Sequence, residues 1–350
     1  MIFQRIKILL PILILTIGVD QWTKRWAFNT LRGKGRENIL GEFFQFAFAE
    51  NEGAFLSLGE LARADAEAAR MAEDARWSRL IPSVLAHYQV MKALLAGRFD
   101  DAERLIDEAA VLARRTGDPS DLHKLAAQTL MLRREQGRLS EIEPVLRAWV
   151  EQHPEIPAWR CALADLFARL GRSEDARREF EVLATSDFAV LSRTDSQWLV
   201  SLVLLAEVCV FLEDEHRAEV LYKLLRPHTH LNVVVGTTAF SRGSTDRLLG
   251  SLAGILQRFQ EAEAHFEAAL EMHHRMGARP WTAHTQHDFA RMLLARNEVR
   301  DRDRAFELAN SALVTALELG MVTLAERAEA LQQELQGAIP LRTRRRHSPR

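Results

Sequence analysis

The sequence predicts an all-α protein: a solenoid of stacked helical hairpins, preceded by an N-terminal apolar helix and a short β-like segment. Three observations predict it. From Glu60 onward apolar residues recur with a helical rather than an alternating period, in a stretch rich in Ala, Leu, Glu and Arg. Within that stretch small residues follow turn positions at intervals of roughly forty residues, the mark of an internal repeat. The first 59 residues carry a different signature, an apolar run followed by alternating aromatics.

Composition bounds the answer. The 350 residues hold Lys+Arg 46 against Asp+Glu 48, for a formal net charge of −2, and 47% are hydrophobic. That apolar fraction excludes a wholly disordered chain. Two cysteines exclude a disulfide framework and a four-thiolate zinc site. The charge divides unevenly: residues 1–59 carry +2, residues 60–340 carry −9, and the last ten carry +5. The expected domains are 1–59, a repeat array over 60–338, and a basic disordered tail over 339–350. No aromatic interleaves the tail arginines to stack on bases, so no nucleic-acid partner is expected.

Arg5 and Lys7 precede an unbroken apolar run from Ile8 to Val19. Twelve residues of helix cover about 18 Å, short of a hydrocarbon core of about 30 Å. Trp22, Trp26 and Phe28 can complete a span while Lys24 and Arg25 snorkel. The expectation is a membrane anchor through residues 8–28; the alternative is an interfacial or buried helix. Lys24, Arg25, Arg32, Lys34 and Arg36 outnumber Arg5 and Lys7, which puts the following repeats on the cytoplasmic side of a bacterial inner membrane. Without an anchor the protein is expected to be cytoplasmic.

Three motifs then follow: Asp20-Gln21-Trp22-Thr23-Lys24, a Gly41–Phe48 stretch in which Phe44, Phe46 and Phe48 alternate as in a strand, and Asn51-Glu52-Gly53-Ala54-Phe55. In this order residues 5–59 resemble the N-terminal part of the lipoprotein signal peptidase (signal peptidase II) family. The resemblance implies an aspartyl endopeptidase that cuts prolipoproteins in the membrane, with a pair of aspartates supplied by Asn-x-x-Asp segments further on. The asparagines at 29, 38, 51, 232, 297 and 310 are followed three places on by Arg32, Gly41, Ala54, Val235, Arg300 and Leu313. The pair is missing, and one carboxylate cannot share a proton with another. Asp20, Lys24, Asn51 and Gly53 are therefore read as motif remnants, no catalytic residue is assigned, and no cofactor is implied. The abrupt change at Gly59–Glu60 also suits a mosaic made by gene fusion or a reading-frame error.

The body repeats. Leu163-Ala164, Phe167, Gly171, Ala176 and Phe180 stand at the offsets of a tetratricopeptide repeat. Gly171 turns the chain between two antiparallel helices, Ala164 and Ala176 let them approach, and the phenylalanines fill the groove shared with the next hairpin. Equivalent positions are Ala102 after Gly97, Ile142 after Gly137, Ala218 after Glu213, Ala262 after Gln257, and Ala305, at spacings of 40, 34, 42, 44 and 43 residues. They predict five to seven hairpins. Leu199–Leu212 is apolar but contains Glu207, and its period fits a buried helix. Pro227, Gly243-Ser244-Thr245-Asp246-Arg247-Leu248-Leu249-Gly250, His265–Leu270, Met276–Trp281 and Ala290–Arg296 make a further series. Through it residues 80–335 resemble the tetratricopeptide-like C-terminal region of bacterial signalling ATPases with adenylate/guanylate cyclase or LuxR-type modules. The nucleotide site of that family lies upstream of its repeats, and Gly33-Lys34-Gly35 lacks the rest of a phosphate loop.

Candidate binding residues are Trp159 and Trp281, as aromatic anchors on first helices, with His284, His287 and Arg291. The last three fall at i, i+3 and i+7 on one helical face, where Arg291 could grip an acidic peptide. His284, His287 and Asp288 also read weakly as a metal site, and none is assigned. His228, His230, His273 and His274 are read as surface or capping residues, and Cys161 and Cys209 as packing residues. Residues 228–246 break the repeat with a β-branched run; they cross the groove or merely connect two helices. The functional expectation is a non-catalytic scaffold that binds a protein or peptide, with a signal peptidase relative lacking its aspartate pair as the alternative.

Overall fold

A computed structural model describes residues 37–38, 45–46, 65–66, 68–72, 81–191, 197–235 and 239–337. The apolar run at 8–28, the motif residues Asp20, Lys24, Asn51 and Gly53, and the basic tail lie outside the described residues. Contacts divide the chain between Glu52 and Gly53. In the first unit β1 (Glu37–Asn38) pairs antiparallel with β2 (Gln45–Phe46), Glu37 opposite Phe46. No helix among the described residues is long and apolar enough to cross a membrane.

Among its described residues the second unit is helical apart from one pair of strands. Its helices come mostly in packed pairs: α1 (Ile81–Ala96) with α2 (Phe99–Thr116), and α5 (Pro157–Arg169) with α6 (Ser173–Ala184), while α3 (Pro119–Glu135) and α4 (Glu143–Gln152), between them, are joined through the short turn Leu139–Glu141 rather than by extended packing. Next come α7 (Trp198–Leu212) with α8 (Glu215–Leu225), α9 (Thr245–Ile255) with α10 (Phe259–Arg275), and α11 (Arg279–Arg296) with α12 (Asp301–Leu319). A single helix, α13 (Val322–Gly337), follows.

One device recurs at each reversal. Gly97, Gly137, Gly171, Glu213, Gln257 and Arg300 have φ of +78°, +72°, +70°, +52°, +57° and +76°. Left-handed backbone ends a helix and reverses the chain in few residues. Five places later stand Ala102, Ala176, Ala218, Ala262 and Ala305, each 0% exposed, and the half-buried Ile142. With no side chain beyond Cβ, alanine lets the second helix close onto the first.

First helices also pack on one another: α1 on α3, α5 on α7, α7 on α9, α9 on α11, and α11 on α13. Between α3 and α5 that packing lapses, and a pocket occupies the space. The ends of the series meet, since α11 packs on α1 and α13 on α3. A Cβ at Gly97 would fall 2.7 Å from Leu319 Cδ1, so the first reversal touches the end of α12.

Within residues 228–246 two paired strands are seated among the helices. β3 (Asn232–Val235) pairs antiparallel with β4 (Phe240–Ser244), with an irregularity between Asn232 and Val234. Every residue of β4 is buried, and the strand packs on α1, α3, α9 and α10. Gln128 Nε2 donates to the Ala239 carbonyl at 2.7 Å and to that of His87 at 2.9 Å. Gly243, at φ +77°, is required twice: a Cβ there would lie 2.8 Å from His273 Nε2 and 2.9 Å from Trp281 Cδ2.

Candidate functional site

Helices α3, α5, α7, α9, α11 and α13 converge on a chamber of about 360 Å³. Its centre is Glu207, the single charged residue of α7. Glu207 Oε1 accepts from Arg247 Nη2 at 2.5 Å and from Arg242 Nη2 at 2.9 Å, and Oε2 accepts from Arg169 Nη2. Arg134 Nη2 stands 3.7 Å from Oε2. Arg169 Nε also binds Asp165 at 3.0 Å, and Arg247 Nη1 binds Asp288 at 2.6 Å. Arg134 Nη1 meets Glu135 at 2.6 Å. Burial alone would drive protons onto these carboxylates. For Glu207 it is outweighed by Arg169, Arg247, Arg242 and Arg134, which hold the group well below the ordinary glutamate range. For Glu135 it is outweighed by Arg134 and His284, which hold it at about 2.

Four carboxylates, Glu135, Asp165, Glu207 and Asp288, thus face six guanidiniums: Arg134, Arg169, Arg242, Arg247, Arg291 and Arg327. The excess is positive. Arg291 and Arg327 line the chamber, are exposed, and have no carboxylate within ion-pair distance among the described residues. Nε of Arg134, of Arg242 and of Arg247 is buried without a hydrogen-bond acceptor among the described residues. Although Arg327 reaches solvent, desolvation by the chamber walls lowers its pKa; nearby Asp288 opposes this, while Arg169 and Arg291 add to it. Guanidiniums bind carboxylate and phosphate oxygens bidentately, so the excess positive charge makes this chamber chemically suited to an anion.

The residues singled out in the sequence fall in two places. Trp281, His284, His287 and Arg291 all lie on α11, but only His284 and Arg291 line the chamber. Trp281, expected as an open aromatic platform, is 1% exposed and is an internal strut. Arg134, Arg247 and Arg242 lie 4.9, 5.4 and 5.8 Å from its ring centroid, and its Nε1 donates to the Ser241 carbonyl at 3.2 Å. The β3–β4 hairpin covers the face that a peptide would need. His284 Nε2 meets Glu135 Oε2 at 2.9 Å and His287 Nδ1 meets Asp288 at 3.1 Å, so both are committed to the network rather than presented to solvent. Burial pushes His284 down to about 4, in spite of Glu135 beside it. Arg291 alone of the four is open.

Trp159 lies elsewhere, half-buried in the gap between α3 and α5. Its ring meets Trp149 edge-on at 4.8 Å and His123 at 6.1 Å. It lines a second, apolar pocket of about 160 Å³ with Leu166, Val200, Leu204 and Phe240. The two cavities share Arg134, Leu139 and Asp165 in their walls.

His273, read as a surface or capping residue, is 0% exposed. Its Nε2 accepts from the Ser244 amide at 2.8 Å and its Nδ1 meets Thr285 Oγ1 at 3.1 Å, which fixes the start of α9. Cys161 and Cys209 are buried, and burial pushes both thiols up to about 12, out of reach of thiolate chemistry. Among the described residues no group of three His, Cys, Asp or Glu side chains is placed to hold a metal ion.

No family model matches the chain, and no curated protein matches it. The site therefore rests on its geometry. Sequence reading missed Glu207, Arg247, Arg242 and Arg134 as its members. The one signal available was Glu207 itself, a lone acid in the run Trp198–Leu212.

Proposed function

We propose that residues 60–338 form a tetratricopeptide-like helical-hairpin solenoid and that the protein is a non-catalytic scaffold which binds a protein or peptide. An acidic group of that ligand enters the arginine-lined chamber. The observation that supports this is the pair of open guanidiniums, Arg291 and Arg327, on a chamber to which α3, α5, α7, α9, α11 and α13 all contribute. The recurring left-handed turn followed five places later by a small residue supports the repeat reading. Burial of Trp281 shifts the recognition from an aromatic platform to charge.

Fluorescence anisotropy of the full chain with a labelled glutamate-rich peptide tests it, against a lysine-rich peptide of the same length. The acidic peptide binds, more weakly as salt rises, and Arg291→Ala and Arg327→Ala each reduce the binding. Equal affinity for both peptides overturns the reading, as does cleavage of a prolipoprotein by the purified protein, which would restore the signal peptidase alternative. Residues 8–28 supply the tether to a bacterial inner membrane in this proposal; release of the full chain from membranes by alkaline carbonate would remove it.

A further inference from the structure

We propose that the arginine chamber and the apolar pocket beside it form one two-lobed site, whose ligand carries an anionic group linked to a single ring-sized apolar group. This rests on the reading of the chamber as a place for an acidic group, and it names what must be attached to that group.

The apolar lobe exists because the backbones of α3 and α5, unlike those of the other successive first helices named above, do not run close together, and Trp159 meets His123 across the opening. Ala127 and Met131 on one side and Ala162 and Leu166 on the other leave a space that Val200 and Phe240 close. Its volume, about 160 Å³, is close to that of an apolar cavity of about 150 Å³ that takes one benzene. A longer chain or a fused ring system exceeds it. The chamber, about 360 Å³, is at the lower end of small-ligand sites, which run from about 300 to 1,000 Å³.

The shared wall sets the linker. Asp165 lines both lobes, and its Oδ1 is buried with no hydrogen-bond donor among the described residues. A bare anion would be repelled there. A ligand passing from one lobe to the other must bring Asp165 an N–H or O–H, as an amide between ring and carboxylate does. Beyond Asp165, Arg291 and Arg327 stand open to the acidic end, and relief of the crowding among Arg169, Arg291 and Arg327 adds to the attraction. An apolar group, a donor and an anion in that order match both an N-aroyl amino acid and a peptide segment with an aromatic residue next to an acidic one.

Isothermal titration calorimetry of the full chain separates the terms. The probes are hippurate (ring, amide N–H, carboxylate), N-acetylglycine (no ring), hippuramide (no charge) and the peptide N-acetyl-Gly-Phe-Asp-Gly-amide. Hippurate is expected to bind at least about tenfold more tightly than either N-acetylglycine or hippuramide, the effect of one buried ring or one paired charge. Arg291→Ala and Arg327→Ala weaken both anions alike. Ala162→Phe, which fills the apolar lobe, brings hippurate down to the level of N-acetylglycine and leaves the latter unchanged. Ala127→Leu, a smaller filling on the opposite wall, has the same sense if Ala162→Phe fails to fold. Binding of the peptide at hippurate's strength assigns the site to a protein ligand; binding of hippurate alone assigns it to a free small molecule, and both support the shared chemistry. Equal binding of hippurate and N-acetylglycine overturns the two-lobed site while leaving the acidic-ligand reading intact. Absence of binding by every anion up to about 10 mM overturns both.

Discussion

A single carboxylate, Glu207, organises the interior at the scale of residues. It lies on α7 between otherwise apolar neighbours and holds Arg169, Arg242 and Arg247, each from a different element. Replacing it with glutamine keeps the shape and removes the charge, leaving three buried guanidiniums facing one another. Glu207→Gln should lower stability by about 3–5 kcal/mol, read as a shift in the urea midpoint, whereas Arg291→Ala, which breaks no ion pair, should leave that midpoint unchanged. A second residue-scale consequence follows from His284. Its folded pKa, depressed by burial to about 4, lies below its ordinary value of 6.5. Between those values the unfolded chain binds a proton that the folded chain refuses, so stability is complete above about pH 6.5 and falls as the pH drops toward 4. Glu135, held at about 2, adds its own loss from about pH 4.5 downward. His284→Gln should make the upper part of the pH–stability curve shallower by up to about 1.4 kcal/mol per pH unit, the share of one proton; an unchanged slope would mean that His284 already carries its proton when folded. In the sequence only the oddity of Glu207 was visible. Its partners lie 35, 38 and 40 positions away, and a helical period gives the buried face of a helix without saying what stands opposite. Trp281 shows the same limit: its place on a helix was legible, but the strand that covers its ring was not.

Elements meet here at distances set by what is absent from them. α9 carries Gly250, where a Cβ would lie 3.0 Å from the Phe266 ring on α10. Helix propensity alone favours alanine at a mid-helix glycine by about 1 kcal/mol. The close approach of α9 and α10 reverses the sign, because Phe266 is itself fully buried and stacked on Phe289 at 5.2 Å and cannot yield freely. Gly250→Ala should therefore destabilise by about 1–3 kcal/mol in thermal or urea unfolding, and a gain in stability would show that the ring has room to move. The helical content was legible at this scale, and so were the alanines that mark where a second helix closes on a first. Three of the six reversals use Glu213, Gln257 and Arg300 in place of glycine, so the turns there were betrayed only by the alanine five places on. The gap between α3 and α5 left no mark: both helices have ordinary apolar faces, and a lapse in packing is a property of the pair.

Closure is the property of the helical unit as a whole, and it separates this arrangement from an open array of hairpins. In an open series each hairpin touches only its neighbours, and damage at one end stays there. Here α13 packs on α3 and α11 on α1, and the left-handed Gly137 after α3 sits beside Val322 and Thr323, with Thr323 Oγ1 3.1 Å from where a Cβ would stand. His284 and Glu135, 149 positions apart, join the same two ends through the chamber. Stability is thus shared between helices that are far apart in sequence, and local opening should be correlated across the seam. A chain ending at Gly320 removes α13 and, with it, the surface beneath α3. Hydrogen exchange followed by mass spectrometry should show protection falling in α3 as well as in α11 and α12, while α6 and α8, remote from the seam, change least. If α3 kept its full protection in the shortened chain, the contact with α13 would be incidental and the unit would behave as an open series. The sequence could not have indicated the closure, because the spacing of the anchors fixes how one hairpin follows the next, whereas the small rotations that bring the last helix back to the first accumulate over every interface in between.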